Sequence, residues 1–435
     1  MEKTFVLSLD GVPYSLLTQM IEQKIMPNLA HLAENTSLKK MNSVLPPVSS
    51  SAWASFMTGK SPLEHGIMGF LERNPVTMDW SVPGHNDLKS ETIWAKLSRE
   101  GKRVFIMNVP LTFPAPEING IAVCGFLGSD ILQGTYPKEI GHFLKEKGYR
   151  IDADIELGKR DLKRFIYHLY DVMDKRFEMM RHFWRQESWD FFMLHIMETD
   201  RLHHFLWEYM ENNDHIFSEL FFELYRKIDE RLGEILKMLP DEVNLILLSD
   251  HGFTTLKKEV YLNRWLWKNG FLQFLRPNPQ NLHDLHPNSK AYALYPGRIY
   301  INLKGREKTG SVSPGADYEN IRAIIKKQLL ELSDPDTGAL LIKEILTAEE
   351  LFAAQTKSEI LTGNSEAFPN HIPDLLLIAD KGYDFKGQLW NNNLFEKTQF
   401  NGTHTFDDAF ILSKNKAIPE CLDSIADVRR CLLEI

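Results

Sequence analysis

The sequence predicts an α/β fold with a mostly parallel central sheet, and two observations support this prediction. Short apolar runs that suit buried strands alternate along the chain with longer segments of helical periodicity. Polar residues that can bind metals follow several of these runs, at the sheet edge where open α/β folds place their ligands. The length of 435 residues fits one large α/β domain with an insertion.

The predicted elements fall into a core and a cap. The predicted core strands and helices, in chain order, are strands at residues 5–9, 103–107, 121–124, 191–197 and 243–248 and helices at 26–34, 161–184 and 216–238. After Phe253 the sequence becomes richer in Pro, Gly and Asn, which predicts a smaller cap at 265–370 with a helix near 318–332. The core, predicted as 1–264 and 371–435, then resumes with strands at 374–378 and 409–412 and a closing helix from about residue 422.

Composition limits the classes of function. Hydrophobic residues make up 43% of the chain and charged residues 25%, which is typical of a soluble globular protein. The net charge of −9 gives no sign of the basic face that nucleic-acid binding requires, so we expect no nucleic-acid partner. An acidic protein can still act on phosphates when metal ions supply the local positive charge.

Cysteine usage and the N-terminus indicate the expected location. Cys124, Cys421 and Cys431 lack metal-type spacing, and their odd number argues against a disulfide framework. The chain starts directly with a strand-like segment, so we expect no signal peptide. No run approaches the ~20 apolar residues that span a bilayer, and we therefore expect a cytoplasmic protein without a transmembrane segment.

Asp10 ends the first predicted strand, in FVLSLDG, and Gly11 follows it. A carboxylate in this position projects into the crevice at the sheet edge, where it can bind a metal ion. The competing interpretation is a turn-forming Asp, which is common after a strand. The motif alone favours neither interpretation.

Asp200 and His204 lie in ETDRLHH, directly after the predicted strand at 191–197. Their spacing of four places both side chains on one face of a helix, where an oxygen and a nitrogen ligand can meet one ion. His203 points elsewhere and is expected to support the ligands or the fold. His195 lies inside the strand and is expected to be a core histidine.

Asp250 and His251 follow the strongest predicted strand, in NLILLSDHGF. Adjacent residues can both reach one ion where a strand ends and the chain turns, and Gly252 permits that turn. The alternative is a capping Asp beside a surface His. His404, in NGTHTFDD, is a loop histidine whose weight as a ligand comes from the other candidates.

Ser49, Ser50 and Ser51 precede a helix that is predicted to end near Gly59. A serine at a helix N-terminus is the preferred cap, which is the structural interpretation of this run. The same position favours catalysis, because unpaired backbone N–H groups and the helix dipole bind phosphate. A metal ion would stabilise the serine alkoxide, but chemistry alone does not choose among the three hydroxyls.

Together these motifs resemble the alkaline phosphatase superfamily, and within it the type I phosphodiesterase/nucleotide pyrophosphatase family. The resemblance extends over residues 5–404 and preserves the order of the family's motifs. The matching pieces are FVLSLDG, MPNLAHLAE, LPPVSSSAWASFMTGKSPLEHGI, the Asp-x-x-x-His of ETDRLHH, SDHGF and the Gly-x-His of NGTHTF. It implies an alkaline-phosphatase-like three-layer sandwich and a small-molecule phosphate ester or nucleotide as substrate.

The resemblance also implies a division of labour for two divalent cations, which we expect to be zinc, with manganese as the alternative. The implied roles are Asp10, Asp250 and His251 as ligands of one ion, Asp200, His204 and His404 as ligands of the other, and Ser49 as both nucleophile and metal ligand. The reaction would form a covalent phosphoserine. Asn108, in IMNVPLTFPAP, is a candidate hydrogen-bond donor to a phosphoryl oxygen or a structural turn residue.

Three functions stay open at this point. A phosphodiesterase or pyrophosphatase is favoured, although this family's pyrophosphatases usually carry Thr where Ser49 stands. A phosphomonoesterase or phosphotransferase of the same fold is the second, and a non-enzymatic metal-binding module is the third. Specificity is expected to lie in the cap and in loops near Phe70 and Phe126. The aromatic residues of the cap include Trp265, Trp267 and Tyr300. Each of them is either a core residue or a platform on which a base stacks.

Overall fold

The structure is a computed structural model, and it describes residues 2–186, 188–356 and 369–433. The chain divides into two compact units, whose described residues are taken separately below. The first unit contains Met1–Lys60, Gly84–Thr255 and Gln399–Ile435, and the second contains Ser61–Pro83 and Leu256–Thr398.

Strands and helices alternate through the described chain. The strands are β1 (Thr4–Leu9), β2 (Ser37–Met41), β3 (Glu72–Asn74), β4 (Asp79–Ser81), β5 (Val104–Val109), β6 (Gly120–Cys124), β7 (Thr135–Tyr136), β8 (Phe191–Ile196), β9 (Asn244–Leu248), β10 (Gly252–Thr255), β11 (Lys258–Tyr261), β12 (Ala291–Leu294), β13 (Arg298–Ile301), β14 (Ile342–Thr347), β15 (Leu375–Ala379), β16 (Tyr383–Lys386), β17 (Phe395–Glu396), β18 (Gly402–Thr405) and β19 (Ala409–Ser413). The helices are α1 (Tyr14–Glu22), α2 (Pro27–Glu34), α3 (Ser49–Thr58), α4 (Pro62–His65), α5 (Ile93–Arg99), α6 (Lys138–Glu146), α7 (Ile155–Arg160), α8 (Leu162–Gln186), α9 (Glu198–Glu211), α10 (Phe217–Met238), α11 (Leu262–Lys268), α12 (Ala316–Leu330) and α13 (Ala348–Thr356).

The first unit is built on an eight-stranded sheet in the order β2-β19-β9-β1-β8-β5-β6-β7. Strand β1 pairs in parallel with β8 on one side and with β9 on the other, so the three strands end at the same edge. The candidate site residues Asp10, Asp250 and His251 follow the ends of β1 and β9 within three residues, and Asp200 lies in the helix that follows β8. The mostly parallel sheet confirms the predicted α/β class.

Burial on both faces explains why the central strands read as continuous apolar runs. All six residues of β1 are buried, and alternate residues of β1 and β8 point into one large apolar core. Helix α8 covers this core with one face, to which Phe165, Leu169, Met173 and Phe177 contribute. Each fully buried Leu or Phe stabilises the fold by about 1.5–3 kcal/mol.

Two sequence predictions about the C-terminal region are wrong. Strand β15 (Leu375–Ala379) pairs with β13 and β14 in the second unit and does not resume the central sheet. An apolar run predicts burial but carries no information on which sheet the strand joins. The expected closing helix from residue 422 is instead a 3₁₀ turn at Ile425–Asp427 followed by a π-helical turn at Arg429–Leu433.

The second unit has its own sheets and its own core. The four-stranded sheet β12-β13-β15-β14 is antiparallel, and a three-stranded sheet has the order β16-β11-β17. The described residues of the predicted cap at 265–370 fall inside this unit, and residues 357–368 of that prediction lie outside the described ranges. The unit however starts at Leu256 and also includes Ser61–Pro83. Trp265 and Tyr300 are core residues, whereas Trp267 is 40% exposed. Within the described ranges, no helix is both long and apolar enough to cross a bilayer.

Candidate metal centre

The turn that follows β1, at Gly11, packs against the residues that follow β9. Gly11 has φ 65°, and a Cβ at this position would lie 3.0 Å from the ring of Phe253 and 3.1 Å from His251 Cε1. The chain therefore needs glycine here. The Gly11 N–H donates to Asp250 Oδ1 at 3.0 Å, which fixes the orientation of that carboxylate.

Asp10 is fully buried, and its two oxygens have different surroundings. Oδ1 accepts a hydrogen bond from Ser49 Oγ at 3.1 Å and lies 3.6 Å from His251 Nε2. Oδ2 accepts a hydrogen bond from Trp53 Nε1 at 2.8 Å and lies 3.2 Å from His195 Nε2. One oxygen thus faces the candidate nucleophile, and the other faces the protein interior.

Ser49 is the first residue of α3, and Val48 occupies the N-cap position without a side-chain cap. Helix capping is therefore not the role of the Ser49 hydroxyl, which contacts Asp10 Oδ1 and lies 3.3 Å from His251 Nε2. The hydroxyls of Ser50 and Ser51 are buried and have no hydrogen-bond partner. Among the three serines, Ser49 alone has its hydroxyl within 3.3 Å of these candidate ligands.

The three candidate histidine ligands share one orientation. The Nδ1 atom of each ring faces a backbone carbonyl oxygen, at 3.0 Å for His204 (Gly402), 3.1 Å for His251 (Gly252) and 3.2 Å for His404 (Pro47). A ring whose Nδ1–H donates to a carbonyl presents the lone pair of Nε2, which is the form that binds metal. Burial lowers the pKa of His204 to about 4 and that of His251 to about 3, which keeps both rings neutral.

Asp200 joins this cluster from the first turn of α9. Its Oδ1 lies 3.4 Å from His204 Nε2 and 3.3 Å from His404 Nε2, and these two nitrogens are 3.1 Å apart. Its Oδ2 accepts a hydrogen bond from the Arg201 guanidinium at 3.2 Å. Arg201 is itself held by both carboxylate oxygens of Asp152, at 3.1 and 2.6 Å. The predicted Asp200/His204 pair is therefore convergent.

The donor set fits divalent cations. Asp10, Asp250 and His251 offer ligand atoms that all lie within 4.8 Å of one another, and so do Asp200, His251 and His404. Asp200 Oδ1 and Asp250 Oδ2 are buried and accept no hydrogen bond. Burial, and then the charge of Asp10, raise the pKa of Asp250 well above its ordinary value. A divalent cation held by these groups would neutralise the buried carboxylates that lie beside neutral imidazoles.

Sequence reasoning missed some of the residues that support the site. His195 is buried as expected, but it lies beside Asp10 Oδ2. The sequence motifs do not predict a role for Trp53 in the site, although its spacing of four from Ser49 places both residues on one face of a helix. His203 does support the ligand loops, because its Nδ1 lies 2.9 Å from Gly11 O and its Nε2 lies 2.6 Å from the Tyr225 hydroxyl.

Asn108 is buried at the end of β5, with φ 65°. Its Oδ1 accepts a hydrogen bond from the Tyr149 hydroxyl at 3.3 Å, and its Nδ2 has no hydrogen-bond partner. Tyr149 in turn accepts from Arg176, which pairs with Glu198. The side-chain N–H group of Asn108 is thus available to donate to a phosphoryl ligand. The side-chain oxygen of Asn108 is bound to Tyr149.

A family model places the chain among known proteins. The type I phosphodiesterase / nucleotide pyrophosphatase model matches residues 4–407. The chain belongs to this family. As a type I phosphodiesterase / nucleotide pyrophosphatase family member of the alkaline phosphatase superfamily, it is an enzyme of the phosphoric ester hydrolase class. No curated protein matches the sequence.

Solved structures confirm the family's fold. Phosphonoacetate hydrolase from Sinorhizobium meliloti 1021, in complex with phosphonoformate, is similar with a TM-score of 0.62 and 15% identity, over 98% of this chain and 94% of that one. Murine ectonucleotide pyrophosphatase/phosphodiesterase 5 is similar with a TM-score of 0.57 and 14% identity, over 100% and 94%. The predicted alkaline-phosphatase-like architecture is thereby confirmed.

Proposed function

We propose that this family member is a two-metal hydrolase of phosphodiesters or pyrophosphates that acts through a covalent phosphoserine. The observation that supports this most is the convergence of three imidazole Nε2 atoms, two carboxylate oxygens without hydrogen bonds and the Ser49 hydroxyl. Such a constellation has no structural requirement in a fold whose core is already apolar, and it leaves one buried oxygen of Asp200 and one of Asp250 without a hydrogen bond.

The ligand assignment follows the family resemblance and the contacts among the side chains. Asp10, Asp250 and His251, whose ligand atoms form one compact group, would hold one zinc ion together with Ser49 Oγ. Asp200, His204 and His404, which lie within 3.4 Å of one another, would hold the other. Two bound divalent cations lower the pKa of coordinated oxygens and stabilise the charge that develops on the phosphoryl group. Zinc suits the mixture of imidazole and carboxylate ligands, and manganese is the alternative.

The residues of the chain provide nucleophile, orientation and donors. Asp10 Oδ1 accepts the Ser49 hydroxyl hydrogen bond and fixes the direction of Oγ. Ser49 gives up its hydroxyl proton to solvent as Oγ forms a bond to phosphorus, and the bond from phosphorus to the leaving oxygen breaks, which takes up a proton from solvent. The product is a serine ester of the phosphoryl group, which keeps the remaining substituent of the substrate. Water then attacks phosphorus and loses a proton, the bond from phosphorus to Oγ breaks, and Oγ is protonated again. The N–H groups of the first turn of α3, which have no partner within the helix, would donate to the phosphoryl oxygens.

Nucleotide esters are the substrate class that we favour. The structure of an inactive variant of murine ectonucleotide pyrophosphatase/phosphodiesterase 5 contains AMP, and that variant has the same fold as this chain. A phosphomonoesterase or phosphotransferase is the second candidate, because a serine stands at the nucleophile position. We further propose that Asn108, whose side-chain Nδ2 has no hydrogen-bond partner, donates to a phosphoryl oxygen of the substrate.

The test is a rate comparison with purified, zinc-loaded enzyme on an aryl phosphodiester and on the matching aryl phosphomonoester. We expect a higher kcat/KM on the diester, and two zinc ions per chain by elemental analysis. A higher kcat/KM on the monoester would establish the second candidate instead. Absence of bound metal after loading with zinc or manganese would contradict both candidates.

A further inference from the structure

We propose that Trp53 and His195 are positioning residues that hold Asp10 in the orientation required for the first metal ion. This inference rests on the proposed function, because it concerns the affinity of one of the two proposed metal sites. Trp53 lies four residues after Ser49 on α3, and His195 lies in the neighbouring strand β8. Both side chains are fully buried and neither is a proposed ligand.

The hydrogen bonds of Asp10 separate its two oxygens by role. The indole N–H of Trp53 donates to Oδ2 at 2.8 Å, while the Ser49 hydroxyl, one helical turn earlier, donates to Oδ1 at 3.1 Å. Two residues of helix α3 therefore donate hydrogen bonds to the two oxygens of the Asp10 carboxylate. Because Trp53 occupies Oδ2, rotation of the carboxylate would break a buried hydrogen bond, and Oδ1 stays directed toward Ser49 and His251.

His195, in strand β8, contacts the same oxygen. Its Nε2 lies 3.2 Å from Asp10 Oδ2, although the ring is not aligned for a hydrogen bond with that oxygen. Its Nδ1 lies 3.0 Å from the Ser8 hydroxyl, and Ser8 and His195 are register partners in the parallel pairing of β1 with β8. The Ser8 hydroxyl also lies 3.3 Å from the carbonyl oxygen of Leu194. When it donates to Nδ1 instead, the proton of His195 is on Nε2, which faces the carboxylate with a positive edge.

Trp53 and His195 also constrain each other. Their rings meet edge to face with centroids 4.8 Å apart, and Trp53 meets Phe56 in the same manner at 5.7 Å. This packing fixes the indole plane and therefore the direction of its N–H. Residues that orient a metal ligand in this way change metal affinity by about 10–100-fold when they are altered.

The decisive experiment measures zinc affinity by competition with a chromogenic chelator, for the full-length chain. Trp53→Phe removes the indole N–H and part of the ring. Its matched control is Trp94→Phe, because Trp94 is equally buried in the first unit and its indole nitrogen has no hydrogen-bond partner. We expect Trp53→Phe to weaken one of the two zinc sites by about 10-fold or more and to leave the other unchanged. Trp94→Phe should change neither site by more than about twofold.

A second pair of variants keeps the inference testable if Trp53→Phe does not fold. His195→Leu should weaken the same zinc site, whereas His195→Gln, which keeps a polar N–H group next to Asp10 Oδ2, should restore part of the affinity. If the Trp53 and His195 variants bind both zinc ions as tightly as Trp94→Phe does, the inference is wrong while the two-metal proposal stands. If the unaltered enzyme binds no zinc, both fail together.

Discussion

Ser49 Oγ lies 3.1 Å from Asp10 Oδ1, although 39 residues separate them in the chain. Asp10 ends the central strand, and Ser49 begins a helix, so the contact joins the edge of the sheet to a helix N-terminus. Such a position lets one hydroxyl meet a carboxylate, an imidazole and the amides that bind phosphate. The predictions below start from this contact.

Replacing the candidate nucleophile should abolish the reaction and leave the fold intact. We expect Ser49→Ala to lower kcat by about 10³-fold or more, because the Ser49 hydroxyl is the one that donates to the Asp10 carboxylate beside His251. Steady-state assays and elemental analysis on the same preparation check this, and bound zinc should be retained. Ser50→Ala is the matched control, since its hydroxyl is buried without a partner. Loss of activity in the Ser50 variant alone would reject Ser49 as nucleophile.

The turn at Gly11 should not tolerate a side chain. Gly11→Ala introduces a Cβ about 3.0 Å from the Phe253 ring at a backbone φ of 65°. We expect a loss of about 2–4 kcal/mol in the free energy of unfolding, from backbone strain and the steric conflict together. Gly101→Ala is the control, because Gly101 has φ 77° but nothing within 4 Å of its Cβ position. Equal losses in the two variants, measured by urea unfolding, would contradict the steric argument.

The side chains of Arg201 and Asp152 should make a coupled contribution to the free energy of unfolding. Its guanidinium makes two contacts with that carboxylate and a third with Asp200. A double-mutant cycle with Arg201→Met and Asp152→Asn, followed by urea unfolding, should give a coupling energy of about 1–3 kcal/mol. A coupling energy near zero would show that the two side chains do not interact in solution.

The metal-free enzyme should lose stability as the pH falls below about 6.5. Burial lowers the pKa of His203 and of His251 to about 3 and that of His204 to about 4. Below the ordinary pKa of 6.5, the unfolded chain binds protons that the folded chain does not, so acid favours unfolding. Each such histidine contributes a slope of about 1.4 kcal/mol per pH unit.

Urea unfolding in the presence of a chelator, between pH 7.5 and 5, measures that slope. His203→Gln should reduce the slope, because one of the three imidazoles with a lowered pKa is removed. The same substitution at His31, a surface side chain that is 80% exposed, should leave it unchanged. A stability that stays constant over this range would contradict the burial of neutral histidines.

Local sequence predicts much of the core because its signals are short-range. The apolar runs of β1, β8 and β9 and the periodicity of α8 and α10 follow from burial on one or both faces, and the observed bounds differ from the predicted ones by only a few residues. Asp200 and His204 were recognisable from their spacing of four. The sheet that β15 joins was not predictable, since pairing partners depend on contacts that are distant in sequence.

The sequence by itself determined the fold class, the family and the set of candidate ligands, because each depends on residue types at short spacings and on their order. Only the tertiary structure decided which serine meets Asp10, which oxygen of Asp10 faces Trp53, and that three Nε2 atoms point together. These are matters of side-chain direction, and direction depends on strand register, helix phase and the carbonyls that orient each ring. A linear pattern can specify which groups are present, whereas packing in three dimensions determines which atoms meet.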